Sequence, residues 1–127
     1  MRLLLDTHTL IWHVGKRVAL SDDAAKAIEN PANQIYVSAA SFWEMAIKSS
    51  LGKLNLHRPI RDIIATYQVA SATLLSVTPD HTLMIENLPW HHKDPFDRML
   101  IAQAMHEDLV LISKDGQFEK YQVARIW

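Results

Sequence analysis

Short apolar runs alternate with helix-length segments along the whole chain, and this alternation leaves few architectures open. A run that is apolar at successive positions predicts a strand covered on both faces, which is typical of parallel sheets. Strands separated by helices of ten or more residues predict an α/β fold with a mainly parallel sheet. The five predicted strands cover residues 2–5, 34–38, 74–78, 109–113 and 123–127.

The segments between these strands carry recognisable helix ends. Ser21 is a predicted N-cap for a helix that stops near Asn30, just before Pro31. Pro59 is predicted at the first helical position of a segment that runs to about Ala72. No change in composition, repeat or low-complexity run marks a second domain. The other predicted helices cover residues 7–14, 39–50, 79–88 and 94–106.

The composition excludes several classes of chemistry. The chain has 127 residues, no cysteine and three widely separated glycines. Without cysteine there is no thiol nucleophile, iron–sulfur cluster or Cys-ligated zinc, and three isolated glycines build neither a Walker A loop nor a dinucleotide-binding turn. The formal net charge of −1 gives no general basic footprint for nucleic acid. Because no signal peptide or membrane span is apparent, we expect a cytoplasmic protein without membrane contact.

Four acidic residues follow predicted strands, near the strand ends where parallel sheets bind their ligands. Asp6 directly follows the first strand, and Glu44 lies in the second turn of the helix after the second strand. Asp97 lies in the first turn of the last helix, and Asp115 comes two residues after the fourth strand. Each also has a structural interpretation, as a helix cap, an ion-pair partner of Lys48 or a turn residue.

Taken together, these acids predict a cation site. Four carboxylates at one edge of a sheet repel one another, and crowding them in a partly dry site costs stability. Oxygen ligands without cysteine or histidine favour Mg²⁺ or Mn²⁺ over zinc. A metal ion held in this way suits the hydrolysis of a phosphodiester bond.

Four segments in this order carry a family resemblance: LLLDT at residues 3–7, VS and SFWE within residues 37–44, DPFDRMLIAQA at residues 94–104, and LISKD at residues 111–115. On these segments the chain resembles a PIN-domain ribonuclease of the VapC toxin type. The resemblance implies one nuclease domain over residues 1–127, folded as an α/β/α sandwich with a mainly parallel central sheet. It also implies a metal-dependent endoribonuclease.

The resemblance carries specific expectations for the site. Asp6, Glu44, Asp97 and Asp115 match the acidic quartet that would bind Mg²⁺ or Mn²⁺ and act in catalysis. Thr7 and Ser113 match supporting hydroxyl positions, and Asp94 adds an acid as a helix cap or an outer member of the site. Arg98 stands where a small residue is common in the family. The candidate RNA contacts are Lys48, His92, Lys93, Arg98 and Lys114.

The resemblance also implies partners. Besides RNA, these are a second copy of the chain in a homodimer and a cognate antitoxin, which would bring the complex to operator DNA. Two other functions stay open on the sequence alone. One is a PIN-like binding module without catalysis. The other is a phosphatase of the haloacid dehalogenase type, because residues 6–9 (DTHT) faintly resemble the signature of that family.

Overall fold

All five strands of the sheet run parallel, in the order β3-β2-β1-β4-β5. The computed structural model describes residues Met1–Trp127. The predicted α/β fold with a parallel sheet is confirmed. The strands are β1 (Arg2–Leu5), β2 (Gln34–Ser38), β3 (Thr73–Leu75), β4 (Val110–Ile112) and β5 (Arg125–Ile126).

The strand order creates a switch point between β1 and β4. From β1 the chain builds outward through β2 to β3, and it then returns to the other side of β1 to build β4 and β5. Leu3 is therefore paired with Ile35 on one side and with Val110 on the other. In parallel sheets, ligands bind beyond the carboxyl ends of the strands at such a point. Residues that directly follow β1 and β4 are placed there.

Six α-helices and two 3₁₀ helices connect the strands. Ser21 caps α2 by accepting a hydrogen bond from the backbone N–H of Ala24 at 3.0 Å, as predicted. Asp94 caps α6 in the same way through the N–H of Asp97. The α-helices are α1 (Thr7–Gly15), α2 (Asp22–Glu29), α3 (Ala39–Ser50), α4 (Ile60–Val69), α5 (Pro79–Glu86) and α6 (Pro95–Glu107), and the 3₁₀ helices are Arg17–Ala19 and Gly116–Tyr121.

The structure differs from the sequence prediction at several element ends. The third strand is Thr73–Leu75 rather than residues 74–78, because the Thr78 side chain caps α5 through the N–H of His81. Pro59 is the N-cap of α4 and not its first helical residue. The fourth and fifth strands are shorter than predicted, and neither 3₁₀ helix was predicted.

Helices cover both faces of the sheet, which confirms the predicted α/β/α sandwich. Successive side chains of β1 point to opposite faces. Leu3 and Leu5 lie in a core formed with α1, α2, α3 and α4. Leu4 lies in a second core with Leu100 of α6 and Phe118 of the second 3₁₀ helix. The longest helix, α6, has 13 residues, and no helix combines the length and hydropathy needed to cross a bilayer.

An apolar face surrounds α5 on the outside of this second layer. It contains two neighbouring hollows of about 400 and 390 Å³. Trp43 and Trp90 line the first hollow, and Leu83 and Met105 line the second. These four side chains, 62%, 72%, 62% and 43% exposed in that order, define the apolar face. Exposed apolar surface of this kind is typical of a contact surface.

Candidate metal centre

Asp6 is fixed at the switch point by two hydrogen bonds. It directly follows β1 and caps α1, with its Oδ1 accepting from the N–H of Thr9 at 2.8 Å. Its Oδ2 accepts from the hydroxyl of Ser113 at 2.5 Å, and Ser113 directly follows the neighbouring strand β4. Asp6 is 5% exposed and Ser113 is fully buried. The carboxylate therefore has one orientation, set by the adjacent strand.

Asp97 lies among the other acids. Burial, followed by the charges of Asp94, Asp6, Glu44 and Asp115 in that order, raises the pKa of its carboxyl to about 7. Like charges act in this way only at short range. Five carboxylates, including all four that the sequence singled out, therefore influence one another electrostatically near the carboxyl end of the sheet.

Glu44 is buried and has one free oxygen. It projects from α3, and its Oε2 accepts from the ammonium of Lys48 at 2.5 Å. Its Oε1 is buried without any hydrogen-bond partner. The hydrogen bond that Lys48 donates to Glu44 raises the pKa of Lys48, and the charges of Glu44, Asp94 and Asp97 add to the effect. Lys48 therefore acts as a counter-charge for the acids.

Asp115 is the most accessible of the four predicted ligands. Its Oδ1 accepts from the N–H of Gln117 at 2.9 Å and so caps the second 3₁₀ helix. Its own N–H donates to Ser113 Oγ at 3.1 Å. Ser113 therefore links Asp115 to Asp6.

Ser41 and Thr9, which the sequence did not single out as site residues, hold the helices of the site together. Thr7 donates from Oγ1 to the hydroxyl of Ser41 at 3.0 Å, and this buried contact joins α1 to α3. Thr9 donates from Oγ1 to the carbonyl of Ile112 at 3.0 Å, which joins α1 to β4. Ser41 lies one helical turn before Glu44, and Thr9 lies three residues after Asp6. Polar residues within one turn of a predicted ligand are the signal that could have identified them.

The candidate RNA contacts fall into two groups. Lys93 and Lys114 are exposed next to the acids in sequence, as an RNA contact requires. His92 is instead half-buried beside Asp97, with 3.8 Å between His92 Nε2 and Asp97 Oδ2.

Arg98 does not lie where the sequence analysis expected it. Only 2% of the residue is exposed. Its guanidinium donates to the carbonyls of Pro89 at 2.7 Å and Leu88 at 3.0 Å, and it lies 3.8 Å from the centre of the Trp90 ring. The expectation of a contact with RNA is therefore wrong for Arg98. The side chain instead anchors the loop before α6.

The donor set fits a hard divalent cation. All the ligand candidates are carboxylates, which are the groups that Mg²⁺ and Mn²⁺ prefer. Glu44 Oε1 is an unpaired buried acceptor, and such an atom normally costs free energy. One ammonium, that of Lys48, faces this acidic cluster. A divalent ion would complete both the charge balance and the coordination of Glu44.

A second group of potential metal ligands lies at the other end of α6. His81, His106 and Glu107 lie close together, about 15 Å along the helix from Asp97. His81 Nδ1 accepts from the N–H of Thr78 at 3.0 Å, so its ring proton is on Nε2, which lies 2.9 Å from Glu107 Oε1. That nitrogen has no lone pair for a metal. The group is a hydrogen-bonded link between α5 and α6.

The edge of the sheet beside the acids is open at Asp115, which is exposed, whereas Asp6 and Glu44 are buried. None of the five main hollows is lined by Asp6, Glu44, Asp97 or Asp115. The two largest, about 630 and 530 Å³, lie on other parts of the surface.

Comparison with known proteins gives a consistent result. The PIN domain family model matches residues 3–124. The chain is 27% identical over 124 residues to Ribonuclease VapC22 of Mycobacterium tuberculosis, a match that covers 97% of this chain and 94% of that protein. Its fold is similar to VapBC2 from Rickettsia felis bound to a promoter DNA fragment, with a TM-score of 0.73, 12% identity and coverage of 99% and 98% of the two chains. It is also similar to a toxin–antitoxin complex from Klebsiella pneumoniae, with a TM-score of 0.61, 18% identity and coverage of 98% and 96%.

Proposed function

The chain belongs to the PIN-domain family, and we propose that it is a metal-dependent endoribonuclease that acts as the toxin of a toxin–antitoxin pair. The observation that carries this proposal is the link between Asp6 and Asp115 through Ser113 at the switch point of the sheet, with Asp97 subject to the charges of both acids. The similarity to Ribonuclease VapC22 over nearly the whole chain supports RNA as the substrate. The family match gives no support to the haloacid-dehalogenase alternative.

Asp6, Glu44, Asp97 and Asp115 are the residues that would hold the metal, which is Mg²⁺ or Mn²⁺. When bound, such an ion stabilises negative charge on the phosphate and activates the attacking water. The donor chemistry and the unpaired Glu44 Oε1 support this assignment. Asp94 caps α6 and adds negative charge near Asp97, so it is an outer member of the site.

The remaining residues of the site orient these ligands. The Ser113 hydroxyl and the Thr9 N–H fix both oxygens of Asp6 before any ion arrives. The contact between Thr7 and Ser41 fixes α1 against α3, the helix that carries Glu44. Such preorganisation reduces the reorganisation that the reaction would otherwise require.

The exposed lysines beside the acids would bind the RNA backbone. Lys93 and Lys114 can reach phosphate groups that approach the open edge, and such contacts orient a nucleic acid without reading its sequence. Lys48 is held by Glu44 and serves mainly to balance charge. Because the chain has no net positive charge, these local lysines would provide most of the attraction.

A cognate antitoxin is the proposed partner that keeps the nuclease inactive. The similarity to a toxin–antitoxin complex from Klebsiella pneumoniae supports this assignment. A basic side chain of the antitoxin would find its binding site among the acids. The similar Rickettsia felis structure contains promoter DNA, which supports operator binding through the antitoxin.

The proposed homodimer forms through the apolar face around α5. Its four exposed apolar side chains surround two neighbouring hollows, into which the side chains of a second copy could insert. A two-fold dimer places the same patch on both partners, so an apolar patch is its own complement. The chain's formal net charge of −1 creates little repulsion between copies.

The decisive test is RNA cleavage by the purified protein with Mn²⁺ or Mg²⁺. Asp6→Asn and Asp97→Asn should each abolish cleavage, because each removes a charge that holds the metal. Asp62→Asn, an exposed acid on α4, is the matched control and should cleave normally. Cleavage retained in both site variants would overturn the assignment. Tight binding of uncut RNA would instead indicate a non-catalytic module, and phosphate release from a small phosphoester would indicate a phosphatase.

A further inference from the structure

A chain of hydrogen bonds connects Arg98 through Tyr121 to His92, whose ring lies beside Asp97. Its centre is the hydroxyl of Tyr121, a residue that is 4% exposed. Arg98 donates to this oxygen at 3.3 Å, and the backbone N–H of His92 donates to it at 3.1 Å. His92 Nδ1 lies 2.9 Å from the same oxygen. Three nitrogen atoms therefore surround one hydroxyl group.

These contacts determine which nitrogen of His92 carries the ring proton. A phenolic oxygen has one proton to donate, and the two donors from Arg98 and the His92 backbone already occupy its acceptor positions. The tyrosine proton can go to His92 Nδ1 at 2.9 Å or to the His92 carbonyl at 3.5 Å, and the shorter contact is the better one. His92 Nδ1 is then an acceptor, so the proton of the neutral ring is on Nε2.

The protonated nitrogen faces the metal centre. His92 Nε2 is buried and has no hydrogen-bond partner, although an unpaired buried donor is costly. Its nearest carboxylate oxygen is Oδ2 of Asp97 at 3.8 Å. This distance is longer than a hydrogen bond, and a small rotation of the Asp97 carboxylate would close it. Hydrogen bonds at catalytic sites are often long before the site is loaded.

We infer that His92 is a positioning residue for Asp97: its Nε2–H donates to Asp97 Oδ2 and orients that carboxylate toward the metal. The inference rests on the proposed function, because it concerns the same metal site. It also gives Arg98 a role. The buried guanidinium polarises the Tyr121 hydroxyl, which in turn fixes the His92 ring. Partners of this kind, which bond to a metal ligand, tune metal affinity and activity by 10- to 100-fold in other proteins.

The protonation state can be measured without metal or substrate. Nitrogen-15 spectra of the histidine side chains, recorded on the metal-free protein at about pH 8, distinguish protonated from unprotonated ring nitrogens. The His92 signals are assigned by their loss in His92→Gln. We expect a proton on Nε2 and none on Nδ1. A proton on Nδ1 would overturn the inference, because Nε2 would then have no hydrogen to donate.

Two variants test whether the donor matters. Glutamine can place its amide nitrogen near the position of His92 Nε2, whereas asparagine places it near Nδ1. In Mn²⁺ titrations followed by calorimetry, His92→Gln should bind Mn²⁺ within about threefold of the unchanged protein, and His92→Asn about 10- to 100-fold more weakly. Equal Mn²⁺ affinities in the two variants would show that His92 only fills space. Should either variant fold poorly, the nitrogen-15 spectrum of the unchanged protein still decides the question.

The same titration separates this inference from the proposed function. If the unchanged protein neither binds Mn²⁺ nor cleaves RNA, the metal-dependent nuclease is wrong, and so is a metal-positioning role for His92. If it binds Mn²⁺ and cleaves RNA while His92→Asn matches it in both, the nuclease survives and the role of His92 fails.

Discussion

Asp97 has a raised pKa, and this links protein stability to pH. Burial and the four neighbouring carboxylates raise its pKa from 3.8 to about 7. Without metal, the folded protein therefore holds a proton that the unfolded chain has already released between these two pH values. The contribution of the Asp97 proton to the stability of the folded state is complete below about pH 4 and is lost as the pH rises through 7. The difference between the two pKa values corresponds to a free energy of unfolding of about 4 kcal/mol at most, and the 26% exposure of the side chain reduces this figure.

Asp97→Asn should remove this dependence. In the presence of a chelator, the variant should be more stable than the unchanged protein at pH 8 and about equally stable at pH 4, because an amide cannot ionise. Urea denaturation across this range measures the effect. Glu86→Gln, which changes an exposed acid on α5, is the control and should follow the unchanged protein. Parallel stability curves for all three proteins would contradict the raised pKa.

Metal binding should raise the melting temperature, and this rise should depend on Glu44. A ligand that binds only the folded state raises stability by mass action. Millimolar Mn²⁺ or Mg²⁺ should therefore raise the Tm of the unchanged protein, and Glu44→Gln should lose most of this increase. Scanning calorimetry with and without the metal gives the comparison. No increase in the unchanged protein would argue against a cation site.

The position of an acid in the fold was predictable where a local signal defined it. Asp6 and Asp97 were identified because each follows a strand or begins a helix, which fixes its place. Arg98 was misinterpreted because a basic residue beside an acid resembles a phosphate contact. Its burial depends on the carbonyls of Leu88 and Pro89 and on the ring of Trp90, and nothing local in the sequence marks these as partners.

Helix α6 organises both the site and the loop before it. Asp94 caps its first turn and Asp97 faces the acids. Arg98, on the next position, holds the backbone of Leu88 and Pro89. One turn of helix thus carries both Asp97, a proposed metal ligand, and Arg98, which anchors the loop that contains His92. The loop conformation and the position of Asp97 are coupled through this turn.

Arg98→Leu should destabilise the protein by about 2–4 kcal/mol, because it leaves the buried carbonyl of Leu88 and the partly buried carbonyl of Pro89 without donors at roughly 1–2 kcal/mol each. Urea denaturation gives the free energy of unfolding. Lys93→Leu, an exposed basic residue in the same segment, is the control and should change stability by less than about 0.5 kcal/mol. Similar values for the two variants would show that the buried hydrogen bonds contribute little.

Element boundaries were predictable where a local signal defined them. Ala39–Ser50 was predicted correctly as α3, because its apolar character and the following Gly52 mark both ends. The third strand was predicted too far along the chain, because Val77 and Thr78 continue the apolar run although Thr78 begins the next helix. Short 3₁₀ helices lack the length for a periodic signal, so Gly116–Tyr121 was not predicted.

In the molecule as a whole, the order of the strands brings the acids together. The alternation of strands and helices predicted a parallel sheet, but it did not predict which strands are neighbours. Only the placement of β4 next to β1 brings Ser113 to Asp6, across more than a hundred positions of sequence. From the sequence, the convergence of the acids was therefore only a hypothesis, because it depends on the order of the strands.

Leu83→Glu should break the proposed homodimer. A charge on the apolar face would be buried without a partner in the interface, which is strongly unfavourable. Light scattering coupled to size exclusion should show a dimer for the unchanged protein and a monomer for the variant. Val69→Glu, at an 86% exposed position on α4, is the control and should remain dimeric. A monomeric unchanged protein would contradict the homodimer, and a dimeric Leu83→Glu would place the interface elsewhere.

The ion pair between Lys48 and Glu44 places a positive charge of the protein's own among the acids. Zinc fingers, in contrast, have no stable fold until the metal arrives. A chain with its own ammonium among its acids can fold and bind an inhibitor in the metal-free, inactive form. Chelation should therefore silence such a toxin reversibly, and replenishing the metal should restore it without any refolding step.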